Sequence, residues 1–595
     1  MLKMMNKIRR ELAFVRDIYG VLQALKDLQP DSPVTITDEI EASIDRSGDK
    51  PAFLFEGETL SYGAFEARAN RIAHWALGQG FAPGDTVALM LENCPDFAAV
   101  WFGLGKIGVV TALINTNLQG DGLGHCLTIV GSKAVIAGGQ QAERVAQLFA
   151  ATGQPLPLWD FDGQAGADLE AALAVQPDTR PSRDRRAHLT GGDGALFIYT
   201  SGTTGLPKAA KITHNRFRGM ARYARFLGRV EARDRVYNTL PMYHSTGGGM
   251  GTAGPLVYGA TIILRRKLSV SAFWDEAVEH GATKFVYIGE LCRYLVNSAP
   301  HPKERAHSIV AGFGNGMRGE VWQPFVARFG IPQMYEFYGS TEGNVALINF
   351  DGTVGAIGRL PTWLEGKMGI AFVKFDVIEE KPVRGADGFC VKAGIGEPGE
   401  AIGRIGTGGS AAFEGYHDKN ATEAKIHTDV FEKGDRWFRT GDLMRRDKAG
   451  YVYFVDRIGD TFRWKGENVA TNDVADAVCR YPGVTLANAY GVAIPGADGR
   501  AGMVAMTIDE AFRIEGLAEH LKASLPSYAV PLFLRIQPEA ETTGTMKLRK
   551  VELVKEGFDL AQVADPIWFL EPGAGGYVAF GPDHMARIAA GAYRL

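Results

Sequence analysis

Thr200-Ser201-Gly202-Thr203-Thr204-Gly205-Leu206-Pro207-Lys208 follows directly on the apolar run Leu196–Tyr199. A short apolar run that ends in such a loop reads as a buried strand opening onto a ligand. Four hydroxyls, two glycines and one lysine lie within these nine residues. Glycine lets backbone N–H groups turn toward a ligand, and the hydroxyls and lysine add donors. Together they make an anion cradle suited to phosphates. It is not a Walker A loop: counting from Gly202, the sixth position should be Gly and is Pro207. The competing reading, a Ser/Thr-rich surface turn, is disfavoured by so dense a hydroxyl run after a buried strand.

Outward from this loop the same strand pattern recurs. Val87–Met90, Lys133–Ile136, Thr261–Leu264 and Phe285–Ile288 read as buried strands, and Gly63–Leu77 and Ser271–His280 as crossover helices. Apolar strands alternating with helices predict parallel α/β sheets. The stretch 150–190, rich in Ala, Gly, Pro and Asp, reads as a loose connection. From about residue 355 the glycines thicken, and Gly394–Gly409 reads as short strands and turns. A boundary is placed near Asp456-Arg457-Ile458-Gly459-Asp460. Beyond it Leu486–Val492, Gly502–Ile508 and Leu532–Ile536 are strand-like and Ile514–Leu525 is helical. The expected organisation is an amphipathic helix over 1–30, a large α/β domain over 31–456 and a small α+β domain over 457–595.

The composition sets outer limits. The chain has 595 residues, 46% of them hydrophobic and 22% charged, which excludes a largely disordered polymer. A net charge of −4 argues against a general nucleic-acid partner. The five cysteines, Cys94, Cys126, Cys292, Cys390 and Cys479, form no CxxC pair. Their scatter suits neither a disulfide framework nor a zinc site, and a reducing cytoplasm is the expected compartment. With 74 glycines, the two G-x-G-x-x-G matches at Gly314 and Gly394 are expected by chance and carry no weight as dinucleotide fingerprints.

Two segments bear on membranes. Phe97–Ile114 is eighteen residues long and its only charge is Lys106, so on length alone it is a spanning candidate. Gly103, Gly105 and Gly108, with the switch to Gly108-Val109-Val110, favour a buried helix followed by a buried strand. In residues 1–26, Met5, Ile8, Leu12, Val15, Ile18, Leu22 and Leu25 recur at helical spacing, and six Lys/Arg outnumber the acids. Such a helix suits peripheral contact with the inner face of an anionic membrane. Docking of the same stripe on the protein itself is the favoured expectation.

Further motifs are weak alone. Tyr338-Gly339-Ser340-Thr341-Glu342-Gly343 joins an aromatic face, able to stack a base, to a carboxylate able to hold Mg²⁺. Thr440-Gly441-Asp442-Leu443 offers a carboxylate suited to a ribose diol. Asp456–Val469 (DRIGDTFRWKGENV) and Thr543–Lys550 (TGTMKLRK) carry clustered cations among Thr and Gly. Each alone is equally a turn or a solvated loop.

In this order the motifs TSGTTGLPK, YGSTEG, TGD, DRIGD with KGEN, and TGTMK resemble the adenylate-forming superfamily of acyl-CoA synthetases and relatives. Within it, Tyr199–Ala210 (YTSGTTGLPKAA), Leu240–His244 (LPMYH), Tyr338–Asn344 (YGSTEGN), Gly355–Arg359 (GAIGR) and the final GYVAFGPDHMARIAAGAYRL are similar to the fatty acid transport protein and very-long-chain acyl-CoA synthetase family. The resemblance implies a large N-terminal AMP-binding domain of parallel α/β sheets with a β-rich subdomain, and a small mobile α+β C-terminal domain. It implies an ATP-dependent long- or very-long-chain fatty acid:CoA ligase that works through an acyl-adenylate, with uptake coupled by trapping as the CoA ester. Alternatives are an acyl-AMP ligase loading a carrier protein and a CoA ligase for a bile-acid or steroid-type acid.

The resemblance also assigns roles. Thr200, Ser201, Gly202, Thr203, Thr204, Gly205 and Lys208 would hold the β- and γ-phosphates of ATP. Glu342 would hold Mg²⁺, and Gly339 and Thr341 would face the α-phosphate. Gly314, Asn315, Gly316 and Tyr338 would frame adenine, and Asp442 and Arg457 the ribose. His244 would sit near the acyl carboxylate. Lys547 would reach between carboxylate and α-phosphate, and the loop at Gly466 would meet coenzyme A. The hinge would lie at Ile458-Gly459-Asp460, where many relatives carry Asp or Lys in place of Gly459. Asn468 stands where acetyl-CoA-type relatives carry a phosphate-directed Arg, so that role is unassigned in this sequence, with Arg463 and Lys465 as the available substitutes. Tyr243–Gly254 and Phe285–Leu295 are candidates for the acyl pocket. Intact Lys208, Glu342, Asp442, Arg457 and Lys547 argue against a catalytically dead binding module.

Overall fold

The apolar run ahead of the hydroxyl-rich loop forms the strand Gly194–Thr200, with residues 195–199 all buried. In the computed structural model, which describes residues 2–200, 206–376, 379, 381–406, 413–465, 467–495, 497, 499–540, 548, 550–593 and 595, this strand belongs to a seven-stranded sheet. Its order is 167–168, 158–160, 134–137, 86–90, 110–113, 194–200 and 208–213. All neighbours are parallel except the last pair, where Lys208–Thr213 returns antiparallel with Thr200 opposite Lys208. A second sheet of eight strands runs 346–349, 333–339, 311–315, 284–288, 235–238, 261–264, 51–55 and 58–61. It too is parallel inside and antiparallel at both ends. The expected strands and crossover helices are present, so the α/β reading stands.

The helices Tyr62–Gly78 and Pro95–Lys106 pack on each other, with Phe65 and Phe102 fully buried and stacked at 5.5 Å. Phe97–Ile114 is therefore a buried helix followed by the buried strand Val110–Leu113. Its single charge, Lys106, is paired with Glu41 at 2.7 Å and Glu66 at 2.9 Å. Among the described residues no helix is long and apolar enough to cross a membrane.

Two expectations need correction. The stretch 150–190 is not merely a loose connection: 158–160 and 167–168 add two edge strands, and the helix Leu169–Ala174 buries Leu169 and Leu173. The turn between the strands is organised by the buried carboxylate of Asp160. It accepts the backbone N–H groups of Asp162 (3.1 Å), Gln164 (2.9 Å) and Ala165 (2.9 Å). A side chain thus satisfies the donors that a ladder would otherwise pair.

The second correction concerns the helix Leu2–Ala24. It docks by Phe14, Ile18 and Val21, all buried, whereas Met5, Ile8, Leu12, Val15 and Leu22 of the expected stripe are exposed. Phe14 and Val21 win because Phe14 meets Phe350 edge-on at 6.3 Å and lies under Arg359, and Val21 joins the core beneath the eight-stranded sheet.

The chain divides into two compact units, 1–359 with 403–426, and 360–402 with 427–595. Strands 451–457, 436–446, 398–404 and 370–373, which belong to the second unit apart from the last two residues of 398–404, lie side by side in that order. Farther along, strands 484–493, 500–508, 533–536, 567–570 and 577–579 form a mixed five-stranded sheet. Its core includes Val474, Val504, Leu521, Phe533 and Phe569.

Candidate active site

The antiparallel return of Lys208–Thr213 places Thr200 and Lys208 directly opposite each other at the mouth of the hydroxyl-rich loop. Both meet Tyr416. The Lys208 ammonium lies 5.6 Å from the centre of its ring, and the Thr200 hydroxyl hydrogen-bonds its phenol. Tyr416 in turn donates to Oε1 of the buried Glu342 at 2.7 Å. Burial, with Glu342 beside it, pushes the Tyr416 phenol well above its ordinary range, so it stays a donor. Thr200, Lys208 and the Glu342 carboxylate thus converge on one aromatic ring. Ser201, Gly202, Thr203, Thr204 and Gly205 lie outside the described residues.

The turn carrying Tyr338, Gly339, Thr341 and Glu342 follows the strand Gln333–Gly339. It is held from behind by Arg216, which donates to the carbonyls of Ser340 at 2.8 Å and Gly343 at 2.6 Å. Tyr338 is half-buried. Gly314 and Asn315 end the neighbouring strand Ala311–Asn315, and Gly316 follows with φ +82°, a conformation that favours glycine. The helix Gly319–Phe329 comes next, so the G-x-G-x-x-G match at Gly314 lies at a strand-to-helix turn after all.

That turn is pinned by Glu336, which is fully buried beneath it. Glu336 accepts the N–H groups of Gly316 and, at 3.2 Å, Met317. Its other oxygen lies 2.7 Å from the Tyr287 hydroxyl, which also sits 3.0 Å from the Tyr335 carbonyl. Burial raises the Glu336 carboxyl from 4.5 to about 8. One proton on the carboxyl completes the chain, Glu336 to Tyr287 to the Tyr335 carbonyl.

His244 caps the π-helical segment Ser245–Ala253, its ring edge-on to Tyr243 with centroids 4.5 Å apart. A Cβ on Gly247 or Gly248 would strike the carbonyls of Pro241 or Met242, so this close approach needs glycine. Thr246 reaches Asn315 at 3.4 Å, which links the two segments. Met250, Phe285, Leu291, Cys292 and Leu295, from the two segments read as acyl-pocket candidates, are buried in the core of the eight-stranded sheet.

In the second unit the ladder sets Asp442 opposite Arg457, and their side chains approach to 3.8 Å. Gly441, just before this pair, has φ +77°, and the ladder shifts register two residues on, between Leu443 and Met444. The buried Asp456 accepts from Thr471 N–H (2.5 Å), Thr471 Oγ1 (3.1 Å) and Asn472 Nδ2 (3.1 Å), tying its strand to the helix Thr471–Cys479. Lys550 bridges Asp460 at 3.1 Å and Thr471 at 2.7 Å. Lys465, with φ +53°, turns the hairpin 462–464 to 467–469. Gly466 and Lys547 lie outside the described residues.

A family model described as AMP-binding enzyme matches residues 40–417. Long-chain fatty acid transport protein 6 of Mus musculus is 38% identical over 563 residues, covering 93% of this chain and 90% of that protein. Long-chain fatty acid transport protein 1 of Mus musculus is 41% identical over 551 residues, covering 91% and 84%. The chain belongs to the AMP-binding enzymes, in the family of the long-chain fatty acid transport proteins. Two solved structures share the fold of these AMP-binding enzymes. A benzoate CoA ligase from Burkholderia xenovorans LB400 superposes with a TM-score of 0.73 at 22% identity, over 88% of this chain and 100% of that one. A Mycobacterium tuberculosis fatty acyl CoA synthetase superposes with a TM-score of 0.62 at 23% identity, over 88% and 98%.

Of the residues singled out in the sequence, the structure brings Thr200, Lys208 and Glu342 together, aligns Gly314, Asn315 and Gly316 on one turn, and pairs Asp442 with Arg457. Three positioning side chains escaped the reading: Tyr416, Arg216 and Glu336. Glu336 stands two residues before Tyr338, and that adjacency was a usable signal. Arg216 and Tyr416 give none.

Proposed function

We propose that the protein is an ATP-dependent long- or very-long-chain fatty acid:CoA ligase working through an acyl-adenylate. The observation that carries this reading is the convergence of Thr200, Lys208 and Glu342 on Tyr416 at the end of a parallel-sheet strand. The names of its relatives, long-chain fatty acid transport proteins, support a long-chain acid.

In the first step a carboxylate attacks the α-phosphate of ATP and pyrophosphate leaves. An anion attacks a polyanion, so charge compensation and in-line positioning dominate. Residues 200–205 and Lys208 hold the outgoing phosphates. Gly314, Asn315, Gly316 and Tyr338 frame adenine, Gly339 and Thr341 face the α-phosphate, and Asp442 with Arg457 takes the ribose. Glu342, kept in place by Tyr416, suits Mg²⁺, which takes oxygen ligands and shares them with substrate phosphates. Bound there, Mg²⁺ would neutralise phosphate charge. His244 orients the acyl carboxylate. Lys547 offsets charge between carboxylate and α-phosphate. In the second step the coenzyme A thiol attacks the acyl carbon beside Gly466 and AMP leaves. Turnover at a membrane face contacted by residues 1–26 would draw acid inward by trapping it as the ester.

The test is formation of AMP and acyl-CoA from ATP, Mg²⁺, CoA and a ladder of fatty acids, on wild type and Lys547→Ala. Acyl-CoA from long chains, lost on the order of a hundredfold in the variant, is the expected result. AMP release that needs a carrier-protein thiol instead of CoA, or turnover of ring acids alone, would overturn the substrate assignment.

A further inference from the structure

The helix Leu2–Ala24 presents two different faces. The inner one holds Phe14, Ile18 and Val21. It also takes both acids of the helix into ion pairs with the first unit: Glu11 meets Arg359 at 2.6 Å and Asp17 meets Arg229 at 2.7 Å. Asp27, just beyond the helix, is bound by Arg218 at 2.6 Å. The outer face carries Met5, Ile8, Leu12, Val15, Tyr19 and Leu22, spaced three and four residues apart and all exposed, Leu12 by 66% and Tyr19 by 62%. Arg9, Arg16 and Lys26 are exposed alongside it.

Single exposed apolar side chains are ordinary, but six in register along one helix are not. At 1.5 Å per residue the row from Met5 to Leu22 extends roughly 25 Å, along a helix that lies against the protein rather than projecting from it. Its charge pattern selects the occupant. Both acids of the helix are engaged, Glu11 by Arg359 and Asp17 by Arg229 and, at 2.9 Å, by Arg16, so the outer face combines apolar side chains with cations and no unpaired acid among its described side chains. A second copy of this face would set Arg9, Arg16 and Lys26 against themselves. An anionic bilayer complements both features, because it takes the apolar row into the headgroup–acyl boundary and pairs the cations with lipid phosphates and carboxylates.

We propose that the outer face of this helix is a docking surface for an anionic lipid bilayer, with Leu12, Val15 and Tyr19 as the inserted residues and Arg9, Arg16 and Lys26 as the lipid-headgroup contacts. The inference deepens the membrane contact proposed above, and stands independently of the catalytic reading. In place of one stripe that either docks or inserts, the helix does both, through opposite sides.

The full chain is sedimented with vesicles of phosphatidylcholine alone and with vesicles containing phosphatidylserine, for wild type, Leu12→Glu with Tyr19→Glu, and Arg9→Gln with Arg16→Gln. All four positions are exposed or at the surface, so the variants keep the fold, checked by circular dichroism and melting. Wild type is expected to bind phosphatidylserine vesicles at least tenfold more tightly than neutral ones, with binding weakened by salt. The acidic double variant should lose binding, and each removed cation should weaken it roughly fivefold. Turnover of a short, water-soluble acid should be unchanged in both variants, which separates failure of this inference from failure of the ligase reading. Equal binding of wild type and the Leu12/Tyr19 variant overturns the proposal. So does a concentration-dependent dimer abolished by that variant, which would assign the face to a second copy.

Discussion

Replacing Glu336 by glutamine should make the protein more stable, and increasingly so as the pH rises. The carboxyl is fully buried and titrates near 8 in the folded protein against an ordinary 4.5. Below the ordinary value both folded and unfolded chains hold the proton. Between the two values the unfolded chain releases it and the folded chain keeps it, so stability falls with pH by roughly 1.4 kcal/mol per unit. The full difference approaches roughly 5 kcal/mol above the folded value. Glutamine reproduces the protonated acid: its oxygen accepts from Gly316 and Met317, and its amide donates to Tyr287. It has no proton to lose. Urea unfolding at about pH 5.5 and about pH 7.5, followed through the tryptophans of the same core, Trp274 and Trp322, reads the effect. Wild type should lose about 2.5 kcal/mol more than the variant between those conditions. Parallel pH profiles would refute the argument that burial, and not the two N–H donors, governs this carboxyl.

Tyr416→Phe removes the donor that holds Glu342. A hydrogen bond to a charged group contributes about 1.5–3 kcal/mol, so kcat/KM for ATP should fall roughly tenfold to a hundredfold, with a raised Mg²⁺ requirement. A change under about twofold in steady-state assays would remove Tyr416 from the site. Arg216→Met frees the carbonyls of Ser340 and Gly343. It should raise KM for ATP about tenfold in steady-state assays, and an unchanged KM would show that Arg216 does not set this turn. Lys106→Met leaves Glu41 and Glu66 without their shared ammonium and should cost roughly 3–5 kcal/mol in denaturant titration. Lys106→Met together with Glu66→Gln should recover part of that loss.

What was legible in the sequence was whatever a local pattern sets. Buried strands declared themselves as short apolar runs, and Thr261–Leu264 was read with the same bounds the structure shows. The hydroxyl-rich loop, Tyr338–Gly343 and Thr440–Leu443 stood out by their glycines and hydroxyls, but their roles came from the order of the motifs, and Asp442 lies within the strand Arg436–Arg446 rather than after a tight turn. The edge strands in 150–190 were not legible, since Asp160 organises them through a buried carboxylate that composition hides among other aspartates. The first helix shows the same limit. Periodicity located an apolar stripe correctly but could not tell that Phe14 and Val21, off that stripe, would take the docking contacts. Tyr416 and Arg216 act across 74 and 124 residues of sequence, through contacts only the folded chain makes.

The central claim is that a carboxylate attacks the α-phosphate of ATP. Fatty acid labelled with oxygen-18 in both carboxylate oxygens tests it directly. Forming the acyl-adenylate places one labelled oxygen between carbonyl and phosphorus, and thiol attack on the carbonyl leaves that oxygen on AMP. Mass spectrometry of the products should find one labelled oxygen in AMP, none in pyrophosphate, and one in the thioester. Label in inorganic phosphate with release of ADP, or AMP without label, would contradict the account.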